Sequence, residues 1–235
     1  MREICSPKAR PGRLVHSLGA FLTALFLTTC SDNPTGPDRA GLATLRVAPV
    51  FDAYARVAPL VLDNVRVIVV RPPADTAAVA SRSVAAGTNQ LQLGVTVPLR
   101  SSSEDLQVTL ELYAGTTLLF SGTSTVHVTA GAPGSPQTVP VTYRGPGAQA
   151  TAITVAPRDT TLSFGATFPF QASATDAQGQ PVAQFYVSWS LPGAPTGVTV
   201  DATGSITAPS ARDTFFVKAV TPNGLADSTR VFIAA

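Results

Sequence analysis

The sequence predicts an all-β protein made of two β-sandwich domains in tandem, which follow a signal peptide and a flexible tether. Apolar and polar residues alternate with a period of two over many short stretches, which is typical of half-buried strands. β-Branched residues and the turn formers Gly and Pro are abundant, while charged residues make up only 13% of the chain. This composition predicts strands and turns throughout the exported part of the chain.

Residues 1–29 have the composition of a secretory signal peptide. Residues 1–13 contain four basic side chains and one acidic side chain, and residues 18–27 are strongly apolar. A membrane-spanning helix needs about 20 apolar residues, and this segment is shorter and ends in polar residues. We therefore expect a signal peptide here and no membrane span.

The tetrapeptide Leu27-Thr28-Thr29-Cys30 resembles a bacterial lipobox. Leu27 suits the aliphatic position, Thr28 is acceptable, and Thr29 departs from the usual Gly, Ala or Ser. The resemblance implies cleavage before Cys30, palmitate-type acylation of that cysteine and anchoring in the bacterial cell envelope through the lipid. Ser31 follows the cysteine, which favours the outer membrane. The alternative is an ordinary cleaved signal peptide in which Cys30 is incidental.

Cysteine usage supports export, and the net charge argues against nucleic acid as a partner. The only other cysteine, Cys5, lies in the segment that would be removed, so acylation of Cys30 would leave no free thiol. Cleavage leaves 206 of the 235 residues, with 12 basic residues against 13 acidic ones. Because this chain is nearly neutral, it lacks the positively charged surface that binds nucleic acid.

Residues 30–41, rich in Pro and Gly, are predicted to be the lipidated cysteine and a flexible tether.

Residues 42–144 are predicted to form the first β-sandwich. Alternation is cleanest over residues 91–97 and 106–112, and Ala-Gly-Thr-Thr between Tyr113 and Leu118 predicts a hairpin. A break is expected at Ser121-Gly122, a loop at residues 71–76, and no clear pattern marks residues 75–86. The remaining strand candidates are residues 43–51, 64–70, 118–128 and 137–143. About seven strands over about 100 residues suggest an immunoglobulin-like (Ig-like) sandwich.

Residues 145–150 are predicted to be a linker, because Gly-Pro-Gly interrupts any strand ladder. The second domain, residues 151–235, carries a more specific series of motifs. In order they are Ile153-x-Val155-x-Pro157, Leu162-x-x-Gly165, Asp176-x-x-Gly179, Val187-Ser-Trp189 and Val200-Asp-x-x-Gly204-x-Ile206-Thr-Ala208. This series is similar to the bacterial Ig-like domain, group 2. The resemblance implies a second Ig-like sandwich of the kind found in bacterial surface and adhesion proteins.

Three large aromatic residues of this domain could face either a core or a ligand. Trp189 shares a face with Val187 and Leu191, which predicts a core anchor against the opposite sheet; the alternative is an exposed ligand platform. Phe216 and Phe232 fall on the outward phase of their strands. They are expected either to contact the other domain or to form an exposed apolar surface for a partner.

Residue types that carry chemistry are sparse. His127 lies between inward-facing Val126 and Val128 and is expected on the solvent face, and the chain has no Gly-x-Ser-x-Gly elbow and no cluster of His and Cys. Eight aspartates lie near strand ends, where an Asp carboxylate usually accepts hydrogen bonds from the backbone of its own turn. The alternatives are calcium binding and acid–base catalysis by a pair of carboxylates. They are Asp63, Asp75, Asp105, Asp159, Asp176, Asp201, Asp213 and Asp227.

The sequence therefore predicts a non-enzymatic cell-envelope lipoprotein without a cofactor or bound metal. Its Ig-like domains would bind a protein or glycan partner in adhesion. The alternative is a structural spacer or assembly component of the envelope with no ligand of its own. The sequence does not name the partner.

Overall fold

The computed structural model describes residues 41–53, 60–85, 91–132 and 134–235. The predicted signal peptide and residues 27–30 of the lipobox lie outside these ranges, as does nearly all of the predicted tether. The described residues form an all-β protein, as the sequence predicts, with no α-helix among them. The segment Asp38–Ala235 makes one compact unit.

Seven strands form the first half of this unit. They are β1 (Leu42–Phe51), β2 (Asn64–Arg71), β3 (Asp75–Ser83), β4 (Leu93–Pro98), β5 (Ser103–Ala114), β6 (Thr117–Thr129) and β7 (Pro136–Tyr143). They lie in the order β3-β2-β5-β6-β7-β1-β4, and the sheet curves until its two end strands, β3 and β4, are in contact. The first half is therefore a single, nearly closed sheet and not the two-sheet sandwich that the sequence predicts. The pairing of β1 with β7 is parallel, and every other pairing in the sheet is antiparallel.

Two further predictions for this half need correction. The predicted loop at residues 71–76 covers only residues 72–74, because Arg71 ends β2 and Asp75 begins β3. Strand β3 takes up most of residues 75–86, for which the sequence showed no clear pattern, and it pairs with β2 through a register shift at Val69/Val70. The predicted break at Ser121-Gly122 is wrong, because β6 continues through it. The glycine instead marks the place where β6 stops pairing with β7: a Cβ at Gly122 would overlap the carbonyl of Pro140, so the two backbones cross there without room for a side chain.

Alternation positions the first hydrophobic core. Every second residue of β2, β5 and β7 is buried, as in Val65, Val67 and Val69, and these side chains pack with inward residues of β1, β4 and β6. Phe120 is the largest fully buried side chain of this core. Its ring packs edge-on against the Phe51 ring, with 5.1 Å between the two ring centres. Burial of one such ring contributes about 1.5–3 kcal/mol.

Eight strands form the second half. They are β8 (Ala152–Ala156), β9 (Thr160–Ser163), β10 (Thr167–Pro169), β11 (Gln171–Thr175), β12 (Ser188–Ser190), β13 (Ser205–Thr207), β14 (Asp213–Val220) and β15 (Ala226–Ala234). Strands β12-β14-β15-β9 make a four-stranded sheet in that order. Strand β8 pairs with β11, and β10 pairs with β13. The run from β10 to β11 is interrupted only at Phe170, whose N–H donates to the carbonyl of Gly204 at 3.0 Å.

A second core joins these pairs to the four-stranded sheet. Phe170 and Ile206 from one side pack with Phe215, Val217 and Val231 from the other. Three turns of this half, at Asp176–Gly179, before β13 and at Asn223-Gly224, each place a glycine at positive φ. A smaller cluster of Ala150, Ala174 and Val182 adjoins this core through Phe185 and Leu225.

Candidate binding surface

One face of the four-stranded sheet is turned to solvent and carries large side chains. On β14, Phe215 and Val217 enter the core, so Phe216 between them points outward and remains 46% exposed. Phe216 lies directly opposite Arg230 of β15, and Thr214 lies opposite Phe232. The register therefore brings Phe216, Arg230 and Phe232 together, and we refer to these three residues as the aromatic face.

Arg230 is held flat on this face. Its guanidinium carbon lies 4.8 Å from the centre of the Phe232 ring, a cation–π contact. Its Nε also donates to the Asp159 carboxylate at 3.4 Å. Asp159 is the one non-glycine residue with positive φ (44°) in the described part of the chain, and its backbone N–H donates to the Thr229 hydroxyl at 3.0 Å.

A second ion pair fixes the loop between β8 and β9 against β15. Arg158 donates to both carboxylate oxygens of Asp227, at 2.6 and 3.2 Å, and to the Ser228 carbonyl at 2.7 Å. The Val155 N–H donates to the same carboxylate at 2.7 Å. Burial alone would raise the pKa of Asp227, but the hydrogen bonds from Val155 and Arg158 outweigh it and hold the pKa below its ordinary value.

This arrangement can bind through stacking and charged hydrogen bonds. Exposed rings offer apolar area, and a guanidinium offers a planar set of donors that suits carboxylates and hydroxyl groups. Lys218, half-buried two residues along β14 from Phe216, lies opposite Ser190 and Ser228 and adds a second cation to this side of the sheet. No acid–base pair or nucleophile is part of the aromatic face.

Trp189 contacts the second core and is half-buried. Its indole edge covers Gly204, where a Cβ would lie 2.7 Å from the ring, and Gly204 has φ of +86°. A glycine is required at this turn for both reasons. Leu27, Thr28, Thr29 and Cys30 lie outside the described residues, so the lipobox stays a prediction.

His127 lies on the solvent face, as the alternation predicts, and pairs across the strands with Asp105 at 2.8 Å. Both side chains are mostly exposed. A shallow groove of about 150 Å³ lies beside His127, between the end of β6 and the start of β1. Among the residues that the structure describes, no three acidic, His or Cys side chains come together in a way that could hold a metal ion.

The eight aspartates differ in what their carboxylates contact. Asp176 and Asp201 are confirmed as turn residues, because their carboxylates accept hydrogen bonds from the backbone N–H groups two and four residues ahead, at 2.8–3.0 Å. For Asp75, Asp105, Asp159 and Asp227 the expectation is wrong, because their carboxylates contact Arg or His side chains. Asp63 accepts the N–H of Gly115 at 2.7 Å, 52 residues away, and Asp213 accepts the N–H of Thr214 at 2.6 Å. Sequence spacing gives no signal for the partners of Asp105, Asp159 and Asp227, which lie 22 to 71 residues away.

The sequence analysis did not predict an ion cluster at one end of the first core. This cluster is formed by Arg71, Asp75, Arg100 and Glu104, and we call it the Arg71 cluster. Arg71 Nε donates to Glu104 at 2.6 Å and its Nη1 donates to Asp75 at 2.9 Å. Burial would raise the pKa of Glu104, but Arg71 and the N–H groups of Arg100 and Ser101 lower it overall. The only local signal is that Arg71 and Asp75 flank the Pro72-Pro73 turn, which places them opposite each other on β2 and β3.

No known family model matches this chain, and no curated protein is significantly similar to it. The similarity to the bacterial Ig-like domain, group 2, therefore stays a prediction from the motifs alone. None of the described residues belongs to a helix of the length and hydropathy needed to cross a membrane.

Proposed function

We propose that this protein is a non-enzymatic lipoprotein of the bacterial cell envelope whose two β domains, the second of them an Ig-like β-sandwich, bind a partner in adhesion. The lipobox-like tetrapeptide ending at Cys30 and the basic, then apolar, N-terminus support export and anchoring in the outer membrane. The strand order of the second half, with two short pairs packed on a four-stranded sheet, supports the Ig-like assignment.

The observation that carries the binding part of this proposal is the aromatic face. A sheet face of a monomeric domain normally shows polar side chains to water, whereas here an exposed Phe216 adjoins an arginine stacked on a second phenylalanine. Aromatic residues and Arg are the residue types enriched where proteins bind one another. The partner would be a protein or glycan of the cell envelope or of another cell.

Phe216→Ala tests this directly. We expect binding of the purified chain to arrays of immobilised envelope proteins and glycans to fall at least tenfold, with the melting temperature unchanged, because the exposed ring supports no core. Val79→Ala is the matched control, since Val79 is a similarly exposed apolar residue on β3 of the first half. Equal binding by Phe216→Ala and the wild type would exclude the aromatic face as the binding surface.

Location is tested separately, by labelling intact and permeabilised cells with a membrane-impermeant reagent. Labelling of intact cells is expected for an adhesin that faces outward. If the protein is labelled only after permeabilisation, the adhesion proposal fails.

A structural spacer in the envelope is the second candidate function. It is favoured by the connection between the two halves, in which residues 145–150 contact both of them. A spacer needs no ligand, so Phe216→Ala would leave its function intact.

A further inference from the structure

The connection between β7 and β8 is folded into two consecutive tight turns. The Ala148 N–H donates to the Gly145 carbonyl and the Ala150 N–H donates to the Gly147 carbonyl, both at 3.0 Å. The hydroxyl of Tyr143, at the end of β7, donates to the Pro146 carbonyl at 2.8 Å. The segment that the sequence predicts as a linker therefore has its own hydrogen-bonded structure.

One side of this segment contacts the first half. The Arg144 N–H donates to the Leu119 carbonyl at 2.7 Å. Gly145 is buried, and a Cβ there would lie 2.7 Å from the Tyr143 hydroxyl and 2.8 Å from the Leu119 side chain. Ala148 packs against the first core. Because Tyr143 itself belongs to that core, these residues continue the first half without a gap.

The other side contacts the second half. Gly147 is buried with φ of +85°, and a Cβ there would overlap the Phe185 side chain and lie 3.0 Å from its Cα. Phe185 packs in turn on the second core. Ala150 is buried in the small cluster with Ala174 and Val182, and its carbonyl accepts the Asn223 side-chain amide at 3.2 Å.

Tyr143 of the first half also lies within electrostatic reach of Tyr186 of the second half. Burial raises the pKa of the Tyr143 hydroxyl, and the neighbouring Tyr186 raises it further. The two halves are thus close to each other on either side of the segment.

From these contacts we propose that the described strands of the two halves, β1 to β15, move as one rigid body, and that the close approach of Gly147 to Phe185 is what couples the two halves. A free linker would leave six residues without tertiary contacts, and ordering each of them costs about 1–2 kcal/mol. The burial and hydrogen bonds described above oppose that cost. A side chain at residue 147 would push Phe185 away and release the segment. This proposal does not depend on the aromatic face having a partner.

Limited trypsin digestion of the purified full chain tests the coupling, because the exposed Arg144 precedes buried Gly145. Proteolysis requires a segment that can open locally. We expect the wild-type chain to resist cleavage after Arg144. Gly147→Ala should be cleaved there at least ten times faster, with mass spectrometry identifying fragments that begin at Gly145.

Gly165→Ala is the matched control. Gly165 also has positive φ (+70°), but no atom lies within 4 Å of the Cβ that would be added. It therefore shares the backbone strain of Gly147→Ala without the collision. Equal cleavage rates after Arg144 in the two variants would overturn the role of Gly147.

Backbone ¹⁵N relaxation of the wild-type chain tests rigidity without any substitution. We expect one rotational correlation time for both halves and order parameters near 0.85 across residues 145–150, as for rigid backbone. Two correlation times, or order parameters below about 0.6 in this segment, would overturn the proposal.

Discussion

Replacing Arg71 by alanine should destabilise the first half of the protein much more than replacing its neighbour Arg66 on the same strand. Arg71 donates to Glu104 and Asp75 and also to the Pro98 carbonyl, so one side chain joins the β2–β3 turn to the β4–β5 region. Its side chain is only 13% exposed, and that of Glu104 only 12%. Arg66 is 45% exposed and lies 3.7 Å from Glu111.

The size of the effect follows from burial. Removing one partner of a fully buried ion pair costs about 3–5 kcal/mol, because the remaining charge is left without a partner. Here two backbone N–H groups still donate to Glu104, and water can reach part of the space, so we expect a loss of about 2–3 kcal/mol. Arg66→Ala should cost less than about 0.5 kcal/mol, as for other exposed pairs.

Urea unfolding followed by far-UV circular dichroism measures this difference. With a slope of about 2 kcal/mol/M, Arg71→Ala should lower the midpoint by about 1–1.5 M. The fluorescence of Trp189 gives a second signal from the other half, since it is the only tryptophan of the chain. Parallel shifts in both signals are expected if the two halves unfold together.

The pH dependence provides a further check on the cause. The pKa of Glu104 is lowered in the folded protein, so its contribution to stability is present above its unfolded pKa of about 4.3 and is lost as the pH falls through the lower, folded value. The stability gap between wild type and Arg71→Ala should therefore narrow at pH 3. Equal midpoints for Arg71→Ala and Arg66→Ala at pH 7, or a gap that does not change with pH, would refute this reasoning.

Two further predictions concern the anchor and the crossing of β6 with β7. Cys30→Ser should abolish acylation and move the protein from the membrane fraction to the soluble fraction, and mass spectrometry of the N-terminus checks this; an unmodified Cys30 on a soluble wild-type protein would contradict it. Gly122→Ala should lower the melting temperature by several degrees, because its Cβ would collide with the Pro140 backbone. Gly94→Ala, where nothing lies within 4 Å, serves as its control and should change the melting temperature little.

Much of the fold could be predicted because strand faces and turns are encoded locally. The alternation around Leu106 and Leu110 and around Phe215 and Val217 identified buried positions that the structure confirms. The turn before Gly179 was equally clear, since its Asp and Gly have defined roles in a tight turn. Strand β3 escaped prediction because it lies at the end of the sheet order and its burial alternates weakly.

The candidate site could be predicted only in part. Period-two alternation placed Phe216 and Phe232 on the outward side of their strands, but it could not tell whether another part of the chain covers them. That depends on cross-strand register and on the loop that brings Asp159 to Arg230. The Arg71 cluster was missed for a similar reason, since side chains at strand ends follow no period.

The sequence alone determined that this is an all-β chain, which residues of most strands face inward and where many turns lie, because each of these depends on neighbours a few residues apart. Only the tertiary structure decided that β1 pairs in parallel with β7, that Arg71 meets Glu104, and that residues 145–150 contact both halves. These contacts join residues far apart in the chain. Their choice depends on how whole faces fit together, which no local pattern contains.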